Sequence, residues 1–322
     1  MSDLLEVNGL RKSFNGRTAV AGVSFQVQRG TVLGVLGPNG AGKTTTMRMI
    51  AGFLSPDAGS VSVLGTDAVA DPVAAQEKIG YMPENAPLYG EMTVWEFLDF
   101  IGAVRGYRGR ERRRRIDEIV EMCFLEPVRH QTIDTLSKGY RQRTCFAQAI
   151  FHNPPVLLLD EPTEGLDPNQ KQVVREMIRS MGREKIILLS THILEEVEAV
   201  CDRSIIISRG RIVADSTPAA LRRRSRRYNA VRLKVGAPAD RVGPVLRSLP
   251  GMEEVKVEAE DSETCSAELR PRDGRPLAGE IHSLLCEKKW PLIEIEVDPG
   301  DLSEVFRTIT VTEDTRSEAA VR

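Results

Sequence analysis

The stretch from Leu36 to Thr45, which reads Leu-Gly-Pro-Asn-Gly-Ala-Gly-Lys-Thr-Thr, constrains this chain more than any other. It follows the apolar run 32–36 and precedes a helical pattern over 47–51, so the expected order is strand, glycine-rich turn and helix. Glycines let successive backbone N–H groups face one anion, and the N-terminus of the following helix adds the positive end of its dipole. In this context the pattern predicts a phosphate-binding loop rather than an ordinary glycine-rich turn.

Two side chains of this loop are suited to a nucleoside triphosphate. Lys43 can reach the β- and γ-phosphates, and the Thr44 hydroxyl can bind Mg²⁺. The residues expected to contact the nucleotide are Gly37, Pro38, Asn39, Gly40, Ala41, Gly42, Lys43, Thr44 and Thr45.

A second feature is a continuous apolar run, 156–159, that ends in Asp160 and Glu161. Such a run predicts a strand buried on both faces of a mainly parallel sheet, and α/β sheets bind ligands at the carboxyl ends of their strands. Asp160 suits a Mg²⁺ ligand, and Glu161 suits a base that polarises an attacking water. Another apolar strand is predicted over 185–189. It leads to His192, which we expect to contact the γ-phosphate.

Further candidates lie in turns and at the start of a helix. Phe14 sits in a polar turn, where its ring either lies on an adenine or packs on the protein surface. Glu84 begins a loop after a short predicted strand. Ser137 and Gly139 open a helix and can offer a hydroxyl and N–H groups to an anion, although ordinary N-capped helices begin in the same way.

Composition narrows the class of protein. A chain of 322 residues with 41% hydrophobic and 28% charged residues suits a soluble protein of two domains, and a net charge of −2 gives no case for nucleic-acid binding. The five scattered cysteines predict buried, reduced thiols and no zinc site. We find no signal-sequence pattern and no apolar run near the ~18 residues of a membrane span, so we expect any membrane crossing to be made by another chain.

The chain is predicted to contain two domains. The first is an α/β domain over 1–221 with a helical subdomain at about 88–152, followed by an Arg-rich linker, 222–229. The second, 230–311, has the order β-α-β-β-α-β of a ferredoxin-like α+β domain, and 312–322 is predicted to be disordered. Two basic runs, 110–115 and 222–227, are either solvated surface or contact sites for lipid phosphates or a partner.

In this order and at these spacings the motifs resemble those of the ATP-binding subunit of ABC transporters, over roughly residues 3–220. Within that superfamily the chain is similar to exporters that pair with a separate permease. The segments 80–85 and 137–143 are similar to the gliding-motility-associated and multidrug- or sodium-efflux-like branch. The resemblance implies a P-loop NTPase fold of the ABC type, with a mixed sheet core and a helical subdomain.

The resemblance also implies a role for each motif. Phe14 matches the aromatic that stacks on adenine, and Gly37 to Thr45 match the Walker A loop. Glu84 occupies the Q-loop position, Ser137 to Tyr140 match the signature, and Asp160 and Glu161 match the Walker B pair. Gly165 to Asp167 match the D-loop, and His192 matches the switch histidine. The implied catalytic residues are Glu161 and His192, the implied metal ligands are Thr44, Asp160 and Glu84, and the implied cofactors are ATP and Mg²⁺. In the family two copies face each other head to tail, each completing the other's ATP site with its signature. The implied function is an ATPase that drives a permease, as an exporter, from the cytoplasmic face of the membrane.

Two departures from the family pattern stand out. Glu84 occupies a position where the family usually has Gln, and a carboxylate only accepts hydrogen bonds. In the signature, Lys138 and Tyr140 replace a Gly and a Gln, while Ser137 and Gly139 remain, so we expect activity to be retained.

The alternative function is that of a soluble ABC ATPase acting in DNA maintenance or on ribosomes. Such proteins carry long coiled-coil insertions, zinc modules or two ATP domains in one chain. This sequence has one set of motifs, no sustained heptads and no cysteine clusters, which favours transport.

Overall fold

The computed structural model describes residues 4–85 and 87–310, so the predicted disordered tail, 312–322, lies outside the described residues. The chain divides into two compact units, Met1–Thr217 and Pro218–Arg322. The boundary therefore lies before the predicted one, and the segment 222–229, predicted as a linker, belongs to the second unit.

The first unit alternates strands and helices. Its strands are β1 (Leu4–Phe14), β2 (Arg17–Gln28), β3 (Thr31–Leu36), β4 (Ala58–Val63), β5 (Thr66–Asp67), β6 (Ile79–Met82), β7 (Val156–Asp160), β8 (Ile186–Thr191), β9 (Arg203–Ser208) and β10 (Arg211–Ser216). Its helices are α1 (Lys43–Ile50), α2 (Pro72–Glu77), α3 (Val94–Val104), α4 (Gly109–Met122), α5 (Lys138–Ile150), α6 (Pro168–Gly182) and α7 (Leu194–Val200), with short 3₁₀ turns at Glu126–Val128 and Ile133–Thr135.

The central sheet has six strands in the order β10-β9-β3-β8-β7-β6. All of its neighbouring pairs are parallel except β9 and β10, which form a hairpin. Every residue of β7 and of β8 is buried, as the continuous apolar runs predicted. Because β3, β6, β7 and β8 run in the same direction, their carboxyl ends meet at one edge of the sheet, where the candidate site residues follow.

A second sheet is antiparallel, with the order β2-β1-β4-β5. Val23, Phe25 and Val27 are buried on β2 and alternate with exposed polar residues, which is the half-buried pattern that the sequence predicted. Phe14 is the last residue of β1 rather than a residue of a free turn. The strand thus fixes the backbone from which its aromatic ring extends.

Three helices, α3, α4 and α5, form the predicted helical subdomain. Thr93 caps α3 through a reciprocal capping box with Glu96, and Phe97, Ile119 and Phe146 belong to the apolar cluster beneath it. In the basic run of α4, Arg112 pairs with Asp99, and Arg114 and Arg115 pair with Glu118. Part of this run therefore neutralises local carboxylates within the subdomain.

The second unit has the predicted order of strands and helices. It contains α8 (Pro218–Arg222), β11 (Val231–Val235), α9 (Ala239–Arg247), β12 (Met252–Ala259), β13 (Cys265–Pro271), α10 (Ala278–Lys288) and β14 (Leu292–Val297), followed by a helix over 302–310. The sheet is antiparallel with the order β12-β13-β11-β14. Apolar residues of one sheet face, among them Val231 and Leu233, pack with Leu246 of α9 and Ile281 of α10.

The Arg-rich segment at the start of this unit is an ordered turn. The Ser225 hydroxyl donates to Glu304 Oε2 at 2.6 Å and the Arg226 N–H donates to Glu304 Oε1 at 3.3 Å. Ser225 is itself buried. Among the cysteines, Cys123, Cys145 and Cys265 are buried, but Cys286 is exposed, so the prediction of buried thiols is wrong there.

Candidate functional site

A cavity of about 420 Å³ lies at the carboxyl edge of the central sheet. The described residues that line it are Phe14, Ala19, Asn39, Gly40, Ala41, Gly42, Lys43, Thr44, Thr45, Glu84, Glu161, Glu164 and His192. Distant parts of the sequence thus meet at one place. The loop 39–45, Glu84, Glu161 and His192 follow the carboxyl ends of β3, β6, β7 and β8, whereas Phe14 and Ala19 come from β1 and β2 of the antiparallel sheet.

The glycine-rich loop joins β3 to α1. Gly42 has φ +105, a left-handed conformation that favours glycine, and a Cβ atom at this position would lie 2.5 Å from the Ala19 carbonyl oxygen. Helix α1 begins at Lys43, directly after this turn. The first turn of α1 therefore borders the cavity, and the N–H groups of a first helical turn lack intrahelical acceptors, as a phosphate loop requires.

The Lys43 ammonium is buried against the loop and the carboxylates. Its Nζ donates to the Gly37 carbonyl at 2.8 Å and lies 3.7 Å from Glu161 Oε1. Both side chains are about 7% exposed. At such low exposure the two charges interact strongly, so the Lys43 ammonium is held beside the acid.

Asp160 presents one satisfied and one unsatisfied oxygen. Its Oδ1 accepts hydrogen bonds from the Thr44 hydroxyl at 3.3 Å and from the Ser190 hydroxyl. Its Oδ2 is buried and has no hydrogen-bond partner among the residues described. A buried carboxylate oxygen without a partner is costly, and together with the Thr44 hydroxyl it forms an oxygen donor set that fits a divalent cation such as Mg²⁺.

Glu161 combines an unusual backbone with a polar side-chain contact. Its φ is +50, and its N–H donates to the Ser190 carbonyl at 3.1 Å. Its carboxylate oxygens lie 3.0 and 3.1 Å from Nδ1 of His192. The carboxylate is buried, whereas the imidazole is 43% exposed, so the histidine connects the acid to the open side of the cavity.

Two predicted residues stand at the rim of the cavity. The Phe14 ring is 45% exposed, with Lys12 Nζ 5.8 Å from its centroid. Its ring lies in the cavity lining, where an adenine base could stack on it. Glu84 is exposed and lines the same cavity.

The signature and D-loop residues lie outside this lining. Ser137 is exposed and caps α5 by accepting from the Tyr140 N–H at 3.4 Å, and Gly139 is buried against Gln170. Asp167 caps α6 by accepting from the Gln170 N–H at 2.9 Å. Within one copy, therefore, the structure brings together the Walker residues, Phe14, Glu84 and His192, but not Ser137, Gly139 or Asp167.

Sequence reasoning missed three residues of this region. Glu164 lines the cavity, and its backbone N–H donates to the Glu161 carbonyl at 3.2 Å. Gln142 is buried, and its side chain donates to the same carbonyl at 3.4 Å. Ser190 contacts both acids of the Walker B pair. Glu164 could have been predicted from its position within the segment 161–167. The contacts of Gln142 and Ser190 depend on packing between distant segments.

Comparison with known proteins places this geometry in a family. Residues 20–164 match the ABC transporter family. Nod factor export ATP-binding protein I of Ralstonia nicotianae is 35% identical over 314 residues, which cover 95% of this chain and 94% of that protein. The chain belongs to the ATP-binding proteins of ABC transporters. A probable multidrug ABC transporter ATP-binding protein of Escherichia coli, YbhF, is 37% identical over 69% of this chain and 38% of its own length.

Solved structures agree with this membership. An ATP-binding subunit of an ABC transporter is 33% identical, with a TM-score of 0.63 over 68% of this chain and 92% of that one. A dimeric ATP-binding cassette bound to ADP and Pi has a TM-score of 0.62 at 23% identity, which supports the fold. This ABC protein is thus an ATP-binding, ATP-hydrolysing transporter subunit, and the relatives favour this function over the soluble alternative. None of the helices in the described part of the chain has the length and apolar character needed to cross a membrane.

Proposed function

We propose that this ABC ATPase binds MgATP in the cavity at the sheet edge and works as a head-to-tail dimer. It drives a separate membrane permease, in the direction of export. The observation that carries the proposal is the convergence of Lys43, Asp160, Glu161 and His192 at the carboxyl ends of neighbouring parallel strands.

Each side chain has a role that its geometry supports. Lys43 and the N–H groups at the start of α1 bind the β- and γ-phosphates, and Phe14 stacks on the adenine. Thr44, Asp160 and Glu84 supply oxygen ligands for Mg²⁺, which neutralises phosphate charge when bound. Glu161 orients the attacking water and accepts its proton, because its carboxylate lies beside the phosphate-binding lysine.

His192 links the base to the γ-phosphate. With Nδ1–H donating to the Glu161 carboxylate, the ring is held in one orientation, and its side chain is 43% exposed. In the protonated imidazole Nε2 carries a second N–H, which donates to a phosphate oxygen. Water and phosphate are thereby positioned by two groups that already contact each other. Preorganised groups of this kind contribute to catalysis without rearrangement during the reaction.

The dimer is supported by where the remaining motifs lie. Ser137 and Gly139 stand at the start of a thirteen-residue helix outside the cavity, and the Ser137 side chain is exposed. A second copy placed head to tail would bring this helix N-terminus to the γ-phosphate of the first. Each copy then supplies half of two composite sites, which agrees with one motif set per chain.

A separate cleft supports a permease partner. About 310 Å³ in volume, it is lined in part by Phe53, Tyr81, Ile101 and Val104, of which Phe53 and Val104 are 69% and 68% exposed. Exposed apolar side chains around a cleft indicate a protein-binding site. Tyr81 lies on β6, whose end leads to Glu84, so a helix of the permease bound in this cleft would be connected to the nucleotide cavity.

Export is supported by the relatives, which are named for Nod factor export and multidrug transport. The proposed location, on the cytoplasmic face of the membrane, depends on the proposed permease. Nucleic acid is not expected as a partner. The similarity to the Nod factor export protein covers 95% of this chain, and the proposed direction of transport rests mainly on it.

The test compares two isosteric changes in the same cavity. Glu161→Gln should bind ATP, lower phosphate release by about 10²–10⁴-fold and accumulate an ATP-bound dimer in gel filtration. Glu164→Gln is the matched control and should keep most of the rate. Unchanged turnover in Glu161→Gln would exclude Glu161 as the base.

The partner is tested with tagged Glu161→Gln protein and ATP in detergent-solubilised membranes of the native host. A stoichiometric multi-spanning protein, identified by mass spectrometry, would support the permease. Val104→Glu should lose that protein, whereas Val69→Glu, an exposed valine outside the cleft lining, should retain it. Recovery of DNA-repair or ribosomal proteins in its place would contradict the transport function.

A further inference from the structure

We propose that Ser190 is a positioning residue that sets the geometry of both acids of the nucleotide site. It stands on β8 directly beside Asp160 of β7, in the register of the parallel pair, and is fully buried. This proposal rests on the proposed function, in which Asp160 is a ligand of the cation and Glu161 orients the attacking water.

The Ser190 hydroxyl contacts both acids at once. Its single proton is donated to Asp160 Oδ1, and its oxygen accepts the backbone N–H of Glu161 at 3.2 Å. A hydroxyl can do both because it has one donor and two acceptor lone pairs. One side chain therefore connects the carboxylate of the first acid to the backbone of the second.

The contact to Asp160 decides which carboxylate oxygen is free. Oδ1 accepts from the hydroxyls of Ser190 and Thr44, which leaves Oδ2 buried with no hydrogen-bond partner in the described part of the chain. Removing the Ser190 hydroxyl would free Asp160 to rotate about its terminal torsion. Groups that orient a metal ligand typically change metal affinity or activity by 10–100-fold when they are removed.

The contact to Glu161 stabilises a strained backbone. A glutamate at φ +50 is in a left-handed conformation that persists only where its surroundings enforce it. Here the Ser190 carbonyl and hydroxyl both accept the Glu161 N–H, while Gln142 and Glu164 donate to its carbonyl. This conformation directs the carboxylate toward His192, so a weaker restraint at Ser190 would misplace the base.

The first test measures the Mg²⁺ linkage, which is the factor by which Mg²⁺ increases the affinity for ATP. In the Glu161→Gln background, ATP affinity is measured by calorimetry with Mg²⁺ and with EDTA. Ser190→Ala should reduce the Mg²⁺-dependent gain in ATP affinity by about tenfold and leave the affinity in EDTA unchanged. With Glu161 present, the same variant should lower kcat by about tenfold at saturating MgATP.

The matched control is Ser204→Ala. Ser204 is equally buried, on β9 of the same sheet, but its hydroxyl donates to the Ser216 carbonyl at 3.2 Å, away from both acids. Ser204→Ala should change the Tm by about as much as Ser190→Ala does, while its Mg²⁺ linkage and kcat remain those of the wild type. If Ser190→Ala does not fold, Ser190→Cys keeps nearly the same shape with a weaker donor and should show the same losses in smaller degree.

The outcomes separate this inference from the proposed function. Loss of the Mg²⁺ linkage in Ser190→Ala but not in Ser204→Ala supports the positioning role. Wild-type linkage and kcat in Ser190→Ala, or equal losses in Ser204→Ala, would overturn it while leaving Glu161 as the base. Unchanged turnover in Glu161→Gln would instead contradict the proposed function itself.

Discussion

The ion pair between Arg175 of α6 and Glu196 of α7 provides a quantitative test of the structure. The Glu196 side chain is 1% exposed, and Arg175 binds it through two hydrogen bonds, Nε to Oε2 at 2.9 Å and Nη2 to Oε1 at 2.8 Å. Arg175→Met would leave a buried carboxylate, and breaking a buried pair costs about 3–5 kcal/mol. Lys171 remains 4.0 Å from Oε1, so we expect the lower end, about 3 kcal/mol.

The assay is urea unfolding followed by tryptophan fluorescence. The chain has two tryptophans, Trp95 in the first unit and Trp290 in the second, so a Trp290→Phe background reports the first unit alone. A loss of about 3 kcal/mol corresponds to a fall in Tm of roughly 6–12 °C for a unit of this size. The same helices follow the D-loop and His192, so the variant should also lower ATPase activity.

A surface pair and a double variant serve as controls. Arg114 is 82% exposed and pairs with Glu118 at 3.1 Å, so Arg114→Met should change the free energy of unfolding by only about 0–1 kcal/mol. Replacing Arg175 and Glu196 together by methionine should recover most of the loss, because no unpaired buried charge remains. Equal effects at Arg175 and Arg114, or a double variant less stable than Arg175→Met, would refute the reasoning.

Three further predictions concern single residues. Phe14→Ala should raise the KM for ATP by about tenfold with little change in kcat, since stacking on a base contributes about 1–3 kcal/mol. Gly42→Ala should abolish ATP binding measured by calorimetry, because its Cβ would lie 2.5 Å from the Ala19 oxygen. Gly40→Ala, whose Cβ would meet no atom of the described residues within 4 Å, should retain some binding. Burial and the Arg105 charge lower the pKa of His152 from 6.5 to about 4, so the unfolded chain binds more protons in this range. The free energy of urea unfolding should therefore fall as pH drops from 6.5 toward 4, and fall less in His152→Gln.

Much of the fold follows from local patterns. The runs that became β7 and β8 were identifiable because strands buried on both faces need continuous apolar sequence. The order of strands and helices in the second unit was likewise predicted, because its apolar residues recur with the period of a strand in some segments and of a helix in others. Helix α2 and the two-residue strand β5 were missed, because elements this short carry too few residues for a periodic signal.

Most residues of the nucleotide cavity were predicted from the sequence, but their contacts were not. Lys43, Asp160, Glu161 and His192 were identified from motifs at strand ends, and the structure places them together. The hydroxyl of Ser190 and the amide of Gln142 were not identified. Their contacts to Glu161 cross 29 and 19 residues of sequence, and no local pattern encodes which buried polar group meets which.

The sequence by itself determined the chemistry of this protein: a glycine-rich loop between a strand and a helix, as in phosphate sites, acids at the end of a buried strand, and one copy of each motif. The tertiary structure decided which groups act together. Parallel strands in fixed register bring Asp160 beside Ser190, leave one Asp160 oxygen without a partner among the described residues, and hold Glu161 in a left-handed turn against His192. These relations arise from packing between segments far apart in the chain, because burial forces each polar group to find its partner across the sheet.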